Sequence, residues 1–190
     1  RRAGGRDAPG AWRDGGGAAS GEYSKYDYLY GIYPVLLALR AGRRRMLKLW
    51  TQQLAGPRTV QPKDVSARQE IEELAGSLGL ATEQASRVML NRLSEDRPHQ
   101  GFVLKCRKLA WEKLRELPDP APGSLWLALD GVRDPENLGS LLRSGAFFGA
   151  QAVVCEVGSG VRLPGVASKA SAGAAEILPL FSAGSLAALL

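Results

Sequence analysis

Two short apolar runs with a helical pattern between them most constrain the fold of this chain. Residues 125–129 (Leu-Trp-Leu-Ala-Leu) and 152–155 (Ala-Val-Val-Cys) are continuous apolar runs, typical of parallel strands buried on both faces. Residues 138–149 carry apolar side chains at helical spacing. This order predicts a strand–helix–strand unit of a parallel sheet with a right-handed crossover. We expect a third strand at residues 176–180, followed by an apolar helix at residues 185–190.

A proline-rich segment separates this unit from a smaller domain. Three prolines in residues 117–123 predict a linker at 118–123, with one domain at residues 26–117 and another at residues 124–190. The smaller domain has a mixed pattern: helices predicted at 32–39 and 71–78, which end at Gly42 and Gly79, and strands at 46–50 and 101–104. The predicted fold class is therefore α/β, a small mixed α/β domain followed by a parallel-sheet domain.

The first residues differ in composition from the rest. Residues 1–25 are rich in Arg, Gly and Ala, show no apolar periodicity and are expected to be disordered. An Arg-rich start suits the remnant of a mitochondrial targeting segment, whereas Asp7 and Asp14 count against it, so composition leaves both readings open. Because the chain begins with Arg1 and not with Met, we expect it to be a fragment.

Charge and cysteine content limit the classes of partner. The net charge of +6 and the pI of about 9.6 permit a polyanionic partner without requiring one. No run approaches the roughly 20 apolar residues of a membrane helix, so no membrane partner is expected. Cys106 and Cys155 lack the spacing of metal ligands and are predicted to be reduced thiols, although the sequence leaves a disulfide open. No metal site is predicted.

Residues 129–146 carry the most informative chemistry. Pro135 disfavours helix at Asp134, and Asn137 is predicted to cap the following helix through its side chain. Arg143 falls on the opposite side of that helix from the apolar stripe, near the loop after a strand, where ligands bind in open α/β sheets. The stripe is predicted to face the sheet and consists of Leu138, Leu141, Leu142, Gly145 and Phe148.

This string, together with Lys-Ala-Ser-Ala-Gly-Ala at residues 169–174, resembles the first motif of the SpoU (TrmH) family of RNA 2'-O-ribose methyltransferases, part of the SPOUT superfamily. Residues 30–35, 38–44 and 99–101 resemble the substrate-binding domain of that family. The likeness spans about residues 26–180. Within the family, the two-domain layout most resembles members that modify guanosine in mitochondrial large-subunit rRNA.

The resemblance implies methyl transfer from S-adenosylmethionine to a ribose 2'-hydroxyl, with Asn137 and Arg143 as catalytic residues. A guanidinium group holds its charge at neutral pH, so Arg143 suits a phosphate or a developing alkoxide better than the role of a base. Asn137 would order the loop or bond the ribose. The resemblance also implies RNA as substrate, in particular large-subunit rRNA, a homodimer when the protein is complete, and a mitochondrial matrix location with a transit peptide.

The chain departs from the family pattern in one respect. The second and third family motifs, which form a trefoil knot, cradle the methyl donor and build much of the dimer interface, are not found, and Gly158-Ser159-Gly160 does not match them. We therefore expect an incomplete SPOUT domain lacking the knot, without cofactor-binding residues and without activity in this form. The alternative is a non-catalytic RNA-binding module or an unstable truncated isoform. A nucleotide-cofactor oxidoreductase would need a phosphate-binding glycine loop, which is missing.

Basic and polar residues in the smaller domain are further candidates. His99, the only histidine, lies beside Pro98 and is predicted to be structural, and Ser171 is assigned to a tight turn because no base accompanies it. A basic cluster after the first predicted helix is expected to contact RNA phosphates, although a solvated helix end is an equally good reading. Its members are Arg40, Arg43, Arg44, Arg45 and Lys48.

Overall fold

The computed structural model describes residues 25–52, 62–119, 121–156 and 163–190. The first part of the chain forms a four-stranded mixed sheet with three helices. Its elements are β1 (Tyr26–Tyr30), α1 (Ile32–Ala41), β2 (Met46–Gln52), α2 (Pro62–Ser77), β3 (Thr82–Ala85), α3 (Arg87–Leu93) and β4 (Phe102–Arg107). The strand order is β1-β4-β2-β3, with β2 and β3 parallel and the other pairs antiparallel. The mixed architecture and the left-handed glycine that ends α1, Gly42, are as predicted.

The core of this first sheet lies on one of its faces. Apolar residues of β1, β2 and β4, such as Leu29, Leu49 and Leu104, alternate with residues of the opposite face and pack beneath α1 and α2. The opposite face is covered in part by α3, whose Leu90 packs on Trp50. Because the two faces are unequally covered, residues of the second face such as Tyr26 and Tyr28 are only half-buried.

The second part of the chain forms a parallel sheet, as predicted. Its elements are β5 (Glu112–Lys113), β6 (Trp126–Leu129), α4 (Pro135–Phe147), β7 (Ala152–Glu156), α5 (Gly165–Ala170), α6 (Ala174–Ile177), β8 (Leu180–Ala183) and α7 (Leu186–Leu189). The strand order is β5-β8-β7-β6, and all three pairings are parallel. The predicted unit of β6, α4 and β7 is confirmed, and so is the final helix, which Ser185 caps by accepting from the Ala188 N–H.

Two strand predictions were wrong in detail. Residues 174–177 form a helix, and the third main strand begins at Leu180, because Glu176 turns toward a buried cation in the first domain. The β6 strand lies at an edge of the sheet, so Ala128 is exposed and only β7 is buried along most of its length. A continuous apolar run therefore did not distinguish an edge strand from a central one.

The segment between the two sheets belongs structurally to the second. Residues 112–113 pair with β8 before the proline-rich stretch begins, and Leu109 and Trp111 pack against the second core. The outermost strand of the second sheet thus lies inside the region predicted as the first domain, residues 26–117. No helix or strand forms at the described residues of the predicted linker.

The two sheets are joined by close helix contacts. The α6 helix packs against α1, and α5 packs against the edge strand β1. A side chain at Gly165 would collide with the Tyr28 carbonyl, and one at Gly173 would lie 2.9 Å from the Tyr33 carbonyl oxygen. Gly173 also has a φ of 89°, in the left-handed region that favours glycine. These glycines allow the second domain to approach the backbone of the first.

Several sequence predictions concern residues outside the described ranges. The proposed targeting remnant and Gly158-Ser159-Gly160 both fall there. Within the described ranges, no helix has the length and apolar character required to cross a bilayer. Cys106 and Cys155 are buried and neither forms a disulfide, as predicted, and burial raises the pKa of the Cys106 thiol to about 12.

Candidate active site and RNA interface

The N-terminus of α4 is capped by Asp134 and not by Asn137, which corrects the sequence prediction. The Asp134 carboxylate accepts from the backbone N–H groups of Glu136 (3.3 Å) and Asn137 (3.2 Å). Pro135 occupies the first helical position, where its missing N–H costs nothing. Because Asp134 satisfies the cap, the Asn137 side chain is exposed and remains available to a ligand.

Arg143 lies on the exposed surface of the same helix. It lies six positions after Asn137, about 9 Å along the helix axis at 1.5 Å per residue. Helical side chains tilt toward the N-terminus, so the long Arg143 side chain extends toward the turn that carries Asn137. The structure therefore leaves both predicted catalytic residues exposed on α4, with their Cα positions on different sides of the helix.

The opposite side of α4 fixes the helix in place. Leu138 and Leu142 are fully buried against the sheet, and a side chain at Gly145 would touch Leu127 of β6. The predicted stripe was too wide, however, because Leu141 is 38% exposed and Phe148 is 72% exposed. The helix packs mainly against α5 and α6, and seven of its thirteen residues are exposed.

A cavity of about 300 Å³ lies where α4 meets the first domain. The Arg97 guanidinium and the Glu136 carboxylate bridge the two domains at 3.0 Å, and the Lys169 ammonium donates to the Gln100 side chain at 2.7 Å. Sequence reasoning missed this cavity, although Lys169 and Gln100 both lay within the motifs that carried the resemblance. The cavity is lined by Tyr30, Arg97, Pro98, Glu136, Ser140, Val166, Lys169 and Ala170.

The electrostatics of the cavity favour an anion. Arg97 and Lys169 supply two positive charges against the single carboxylate of Glu136 among its lining residues. Burial lowers the pKa of Lys169 and raises the pKa of the Tyr30 hydroxyl, which Arg97 partly opposes. The Tyr30 hydroxyl is buried and has no hydrogen bond of ordinary geometry within the described residues. Two cations and one carboxylate, with hydroxyl groups beside them, suit a phosphate or a ribose hydroxyl.

Arg44, which the sequence predicts to contact RNA, is engaged inside the protein. Its guanidinium is buried between the domains, and all five of its N–H donors are used. It bonds both oxygens of Glu176 (2.7 and 3.0 Å), the Asp27 carboxylate (2.6 Å) and the carbonyls of Leu163 and Arg107. No donor is left for a phosphate.

This buried network shifts the pKa values of its members in opposite ways. Burial alone lowers the pKa of Arg44, but the hydrogen bonds and charge of Glu176 outweigh it, so the pKa lies above the ordinary arginine value. Burial raises the pKa of Asp27, which the charge of Arg44 opposes. The network therefore stabilises the contact between the domains, because separating them would break the ion pair between Arg44 and Glu176.

The other members of the basic cluster occupy different surroundings. Arg43 donates to the Leu178 carbonyl at the domain junction, and Arg40 binds Glu70 through two hydrogen bonds of 2.6 Å. Arg45 is exposed. Lys48 lies on the second face of the first sheet, where it pairs with Glu83 and covers the ring of Trp50. The structure thus disperses the cluster, and Lys48 and Arg45 remain on accessible surface.

His99 has the structural role predicted for it. Its Nδ1 accepts from the Gly101 N–H at 2.9 Å, and its Nε2 lies 3.0 Å from the Asn91 side-chain oxygen, so the proton belongs on Nε2. Burial lowers the pKa of His99, which keeps the ring neutral. Ser171 also has a turn role, because its hydroxyl donates to the Ser168 carbonyl and accepts from the Ala175 N–H.

No metal ligand set is evident: the described residues contain no group of three or more His, Cys, Asp or Glu side chains that would hold an ion. None of the described residues is assigned to a methyl donor. The described residues thus offer an exposed amide and an exposed guanidinium on α4, and a cation-lined cavity where that helix meets the first domain.

Two family descriptions match the chain. One, for RNA 2'-O ribose methyltransferase substrate binding, covers residues 28–111, and the other, for the SpoU rRNA methylase family, covers residues 124–190. The human protein named rRNA methyltransferase 1, mitochondrial is 34% identical over 171 residues, which is 88% of this chain and 47% of that protein. The 23S rRNA (guanosine-2'-O-)-methyltransferase RlmB of Coxiella burnetii is 36% identical over 165 residues, 82% of this chain and 60% of that protein.

Solved structures share the fold at low sequence identity. An rRNA methyltransferase from Sinorhizobium meliloti superposes with a TM-score of 0.64 at 17% identity, covering 88% of this chain and 59% of that chain. The SpoU methyltransferase AviRb from Streptomyces viridochromogenes, in complex with AdoMet, gives 0.61 at 18% identity, covering 91% and 60%. The chain spans about half to three fifths of the length of these proteins and of the two curated relatives.

Proposed function

Because this chain belongs to the SpoU family of RNA ribose methyltransferases, we propose that it supplies the acceptor side of methyl transfer to a ribose 2'-hydroxyl in RNA. The observation that carries this proposal is the exposure of Asn137 and Arg143 on α4 while the opposite side of the helix is anchored by Leu138 and Leu142. A rigid helix that presents a guanidinium and an amide to solvent suits a substrate rich in phosphates and hydroxyls.

Arg143 and Asn137 act on the nucleotide that receives the methyl group. As the 2'-hydroxyl loses its proton, negative charge grows on its oxygen, and the Arg143 guanidinium stabilises that oxygen or the neighbouring phosphate through charged hydrogen bonds. The Asn137 amide, free of the capping role, both donates and accepts and so orients the ribose. S-adenosylmethionine supplies the methyl group when bound, and no residue of the cation-lined cavity is assigned to it.

The substrate we propose is a guanosine in large-subunit rRNA, and the location is the mitochondrial matrix. The support is the similarity to two relatives, a human mitochondrial rRNA methyltransferase and a bacterial 23S rRNA guanosine methyltransferase. A transit peptide at the start of the protein belongs to the same proposal. A homodimer is also proposed, supported by the exposed rings of Phe147 and Phe148 at the end of α4, 82% and 72% exposed.

The test is transfer of tritiated methyl groups from S-adenosylmethionine to large-subunit rRNA by the longest natural form of this protein. Arg143→Gln should lower kcat/KM by about 100- to 1000-fold, as removal of one preorganised donor does elsewhere. The matched control is Arg115→Gln, at an exposed arginine of the segment between the sheets, and it should act like wild type. Equal activity of both variants would remove Arg143 from the mechanism.

Binding of S-adenosylmethionine is measured separately, by calorimetry on the 190-residue chain. The missing family motifs predict no heat of binding for S-adenosylmethionine, and saturable binding would overturn that prediction. If the longest form binds RNA but transfers no methyl group, the non-catalytic alternative, an RNA-binding module, replaces the methyltransferase proposal.

A further inference from the structure

The partly covered face of the first sheet carries a regular arrangement of aromatic and cationic side chains. Beyond the end covered by α3, Tyr26 and Tyr28 of β1 are half-buried, and their ring surfaces lie beside cations of β4 and β2. We call this surface the tyrosine–lysine face; it consists of Tyr26, Tyr28, Lys48, Lys105 and Arg107. It is separate from Asn137 and Arg143, which lie on α4 of the second domain.

The strand register brings these residues into rows. Tyr26 lies opposite Arg107, and Tyr28 lies opposite Lys105 on β4. Lys105 in turn lies opposite Lys48 on β2. Like charges directly opposite each other on neighbouring strands destabilise a sheet. The register therefore places Lys48 and Lys105 side by side on this face, where Glu83 offsets the charge of Lys48.

The cations lie over the aromatic rings. The Lys105 ammonium is 4.5 Å from the centre of the Tyr26 ring, and the Arg107 guanidinium is 5.1 Å from the same centre. Tyr28 stacks on Trp50 with ring centres 6.2 Å apart and 23° between the planes. Lys48 covers Trp50 at 5.2 Å and pairs with Glu83. The face thus combines stacking surfaces with an excess of positive charge.

We propose that the tyrosine–lysine face binds a single strand of RNA, with unpaired bases stacked on Tyr26 and Tyr28 and phosphates bound by Lys48, Lys105 and Arg107. This inference rests on the proposed function, since it names the surface that would receive the RNA substrate. A cation over an exposed ring contributes less than a base stacked on such a ring, so RNA displaces the cations from the rings to its phosphates. A duplex would not serve, because its bases are stacked internally and hidden from the rings.

The face and the cavity beside α4 share strand β1. Tyr30 follows Tyr28 on the same side of β1 and lines that cavity together with Arg97 and Lys169. An RNA strand bound along β1 would therefore lead into the cavity, next to the helix that presents Arg143. The path runs from an aromatic surface that tolerates any base to the cation-lined cavity at the reaction centre.

The experiment measures binding of a short fluorescent unpaired RNA to the 190-residue chain by anisotropy over a range of salt concentrations. Lys105→Gln and Arg107→Gln should each weaken binding about three- to tenfold and reduce the slope of log affinity against log salt by about 0.7. Tyr26→Leu should weaken binding about tenfold without changing the slope, because stacking involves no ion release. The matched controls are Lys113→Gln on β5 and Tyr33→Leu on α1, both exposed and away from the face.

The experiments distinguish failure of the RNA-binding proposal for the tyrosine–lysine face from failure of the methyltransferase proposal. Far-UV circular dichroism first establishes that each variant is folded. Wild-type affinity in the face variants, no RNA binding by the wild-type chain, or equal affinity for a duplex of the same sequence would each overturn the proposal. RNA carrying 5-iodouridine should crosslink to Tyr26 or Tyr28, and crosslinks confined to other regions would also overturn it. Failure of methyl transfer alone, with the face variants behaving as expected, would refute the enzyme assignment and leave the RNA surface standing.

Discussion

Replacement of Arg44 by methionine tests whether the buried ion network holds the two domains together. The Arg44→Met side chain is of similar length but carries no charge and no donors. Its loss would leave Glu176, 1% exposed, and Asp27, 8% exposed, as buried carboxylates without their cation. Breaking one buried ion pair costs about 3–5 kcal/mol, and a domain has only about 5–15 kcal/mol of stability in total. Because two carboxylates would lose their cation, we expect the free energy of unfolding to fall by an amount at the upper end of the range for one pair.

The measurement is urea unfolding at pH 7 followed by far-UV circular dichroism. Arg45→Met is the matched control, because Arg45 is the exposed neighbour in the same turn, and it should change the free energy of unfolding by less than about 0.5 kcal/mol. The triple variant Asp27→Asn, Arg44→Met, Glu176→Gln should recover most of the lost stability, because it removes both buried carboxylate charges together with the cation.

A pH series adds an independent check. Burial already raises the pKa of Asp27 and the charge of Arg44 opposes that rise, so the pKa of Asp27 should increase further in Arg44→Met. A carboxyl with a raised pKa binds its proton more tightly in the folded state, so the variant should gain stability relative to wild type as the pH falls from 7 to 5. A loss below about 1 kcal/mol at pH 7, with no recovery in acid, would refute the account of this network.

Two further predictions concern packing and pH. A Cβ at Gly139 would lie 2.6 Å from the Ala167 carbonyl oxygen, so Gly139→Ala should lower the free energy of unfolding by about 1–3 kcal/mol through overpacking. Gly76 lies in open space on α2, so Gly76→Ala should raise the free energy of unfolding by about 0.5–1 kcal/mol. Chemical denaturation measures both changes, and changes of the same sign would contradict the prediction. The pKa of His99 is lowered in the folded state, so its contribution to stability is present above the unfolded pKa of 6.5 and is lost as the pH falls below that value. His99→Gln should remove that part of the pH dependence. An unchanged slope of unfolding free energy against pH between pH 6.5 and 5.5 would contradict the assignment.

The elements that local periodicity specifies were predictable from sequence. The strand, helix and strand from residue 125 to residue 155 follow from apolar spacing and length alone, since each buries a face set by its own period. The exposure of Arg143 and the structural role of His99 were likewise predicted, because both depend on residues near in sequence. The prediction that Asn137 caps α4 was wrong because Asp134 and Asn137 are both good capping residues, and backbone geometry decides between them.

What the sequence could not supply were contacts between distant segments. It specified that β7 is apolar but not that β6 lies at the edge of the sheet, since burial of a strand depends on its neighbours. Arg44 looked like its neighbours Arg43 and Arg45 in a basic run, and only the approach of Glu176, 132 residues away, makes it a buried structural cation. The cavity lined by Tyr30, Arg97 and Lys169 arises in the same way.

The sequence by itself therefore determined the family, the strand–helix–strand unit and the helix that carries Asn137 and Arg143, because these depend on spacing within short segments. The tertiary structure alone decided which cations are buried in ion pairs and which lie at the surface, because burial and pairing are properties of the packed chain. The tyrosine–lysine face follows from the same physics: Tyr26, Lys48 and Lys105 are far apart in sequence, and the register of β1, β4 and β2 brings them together.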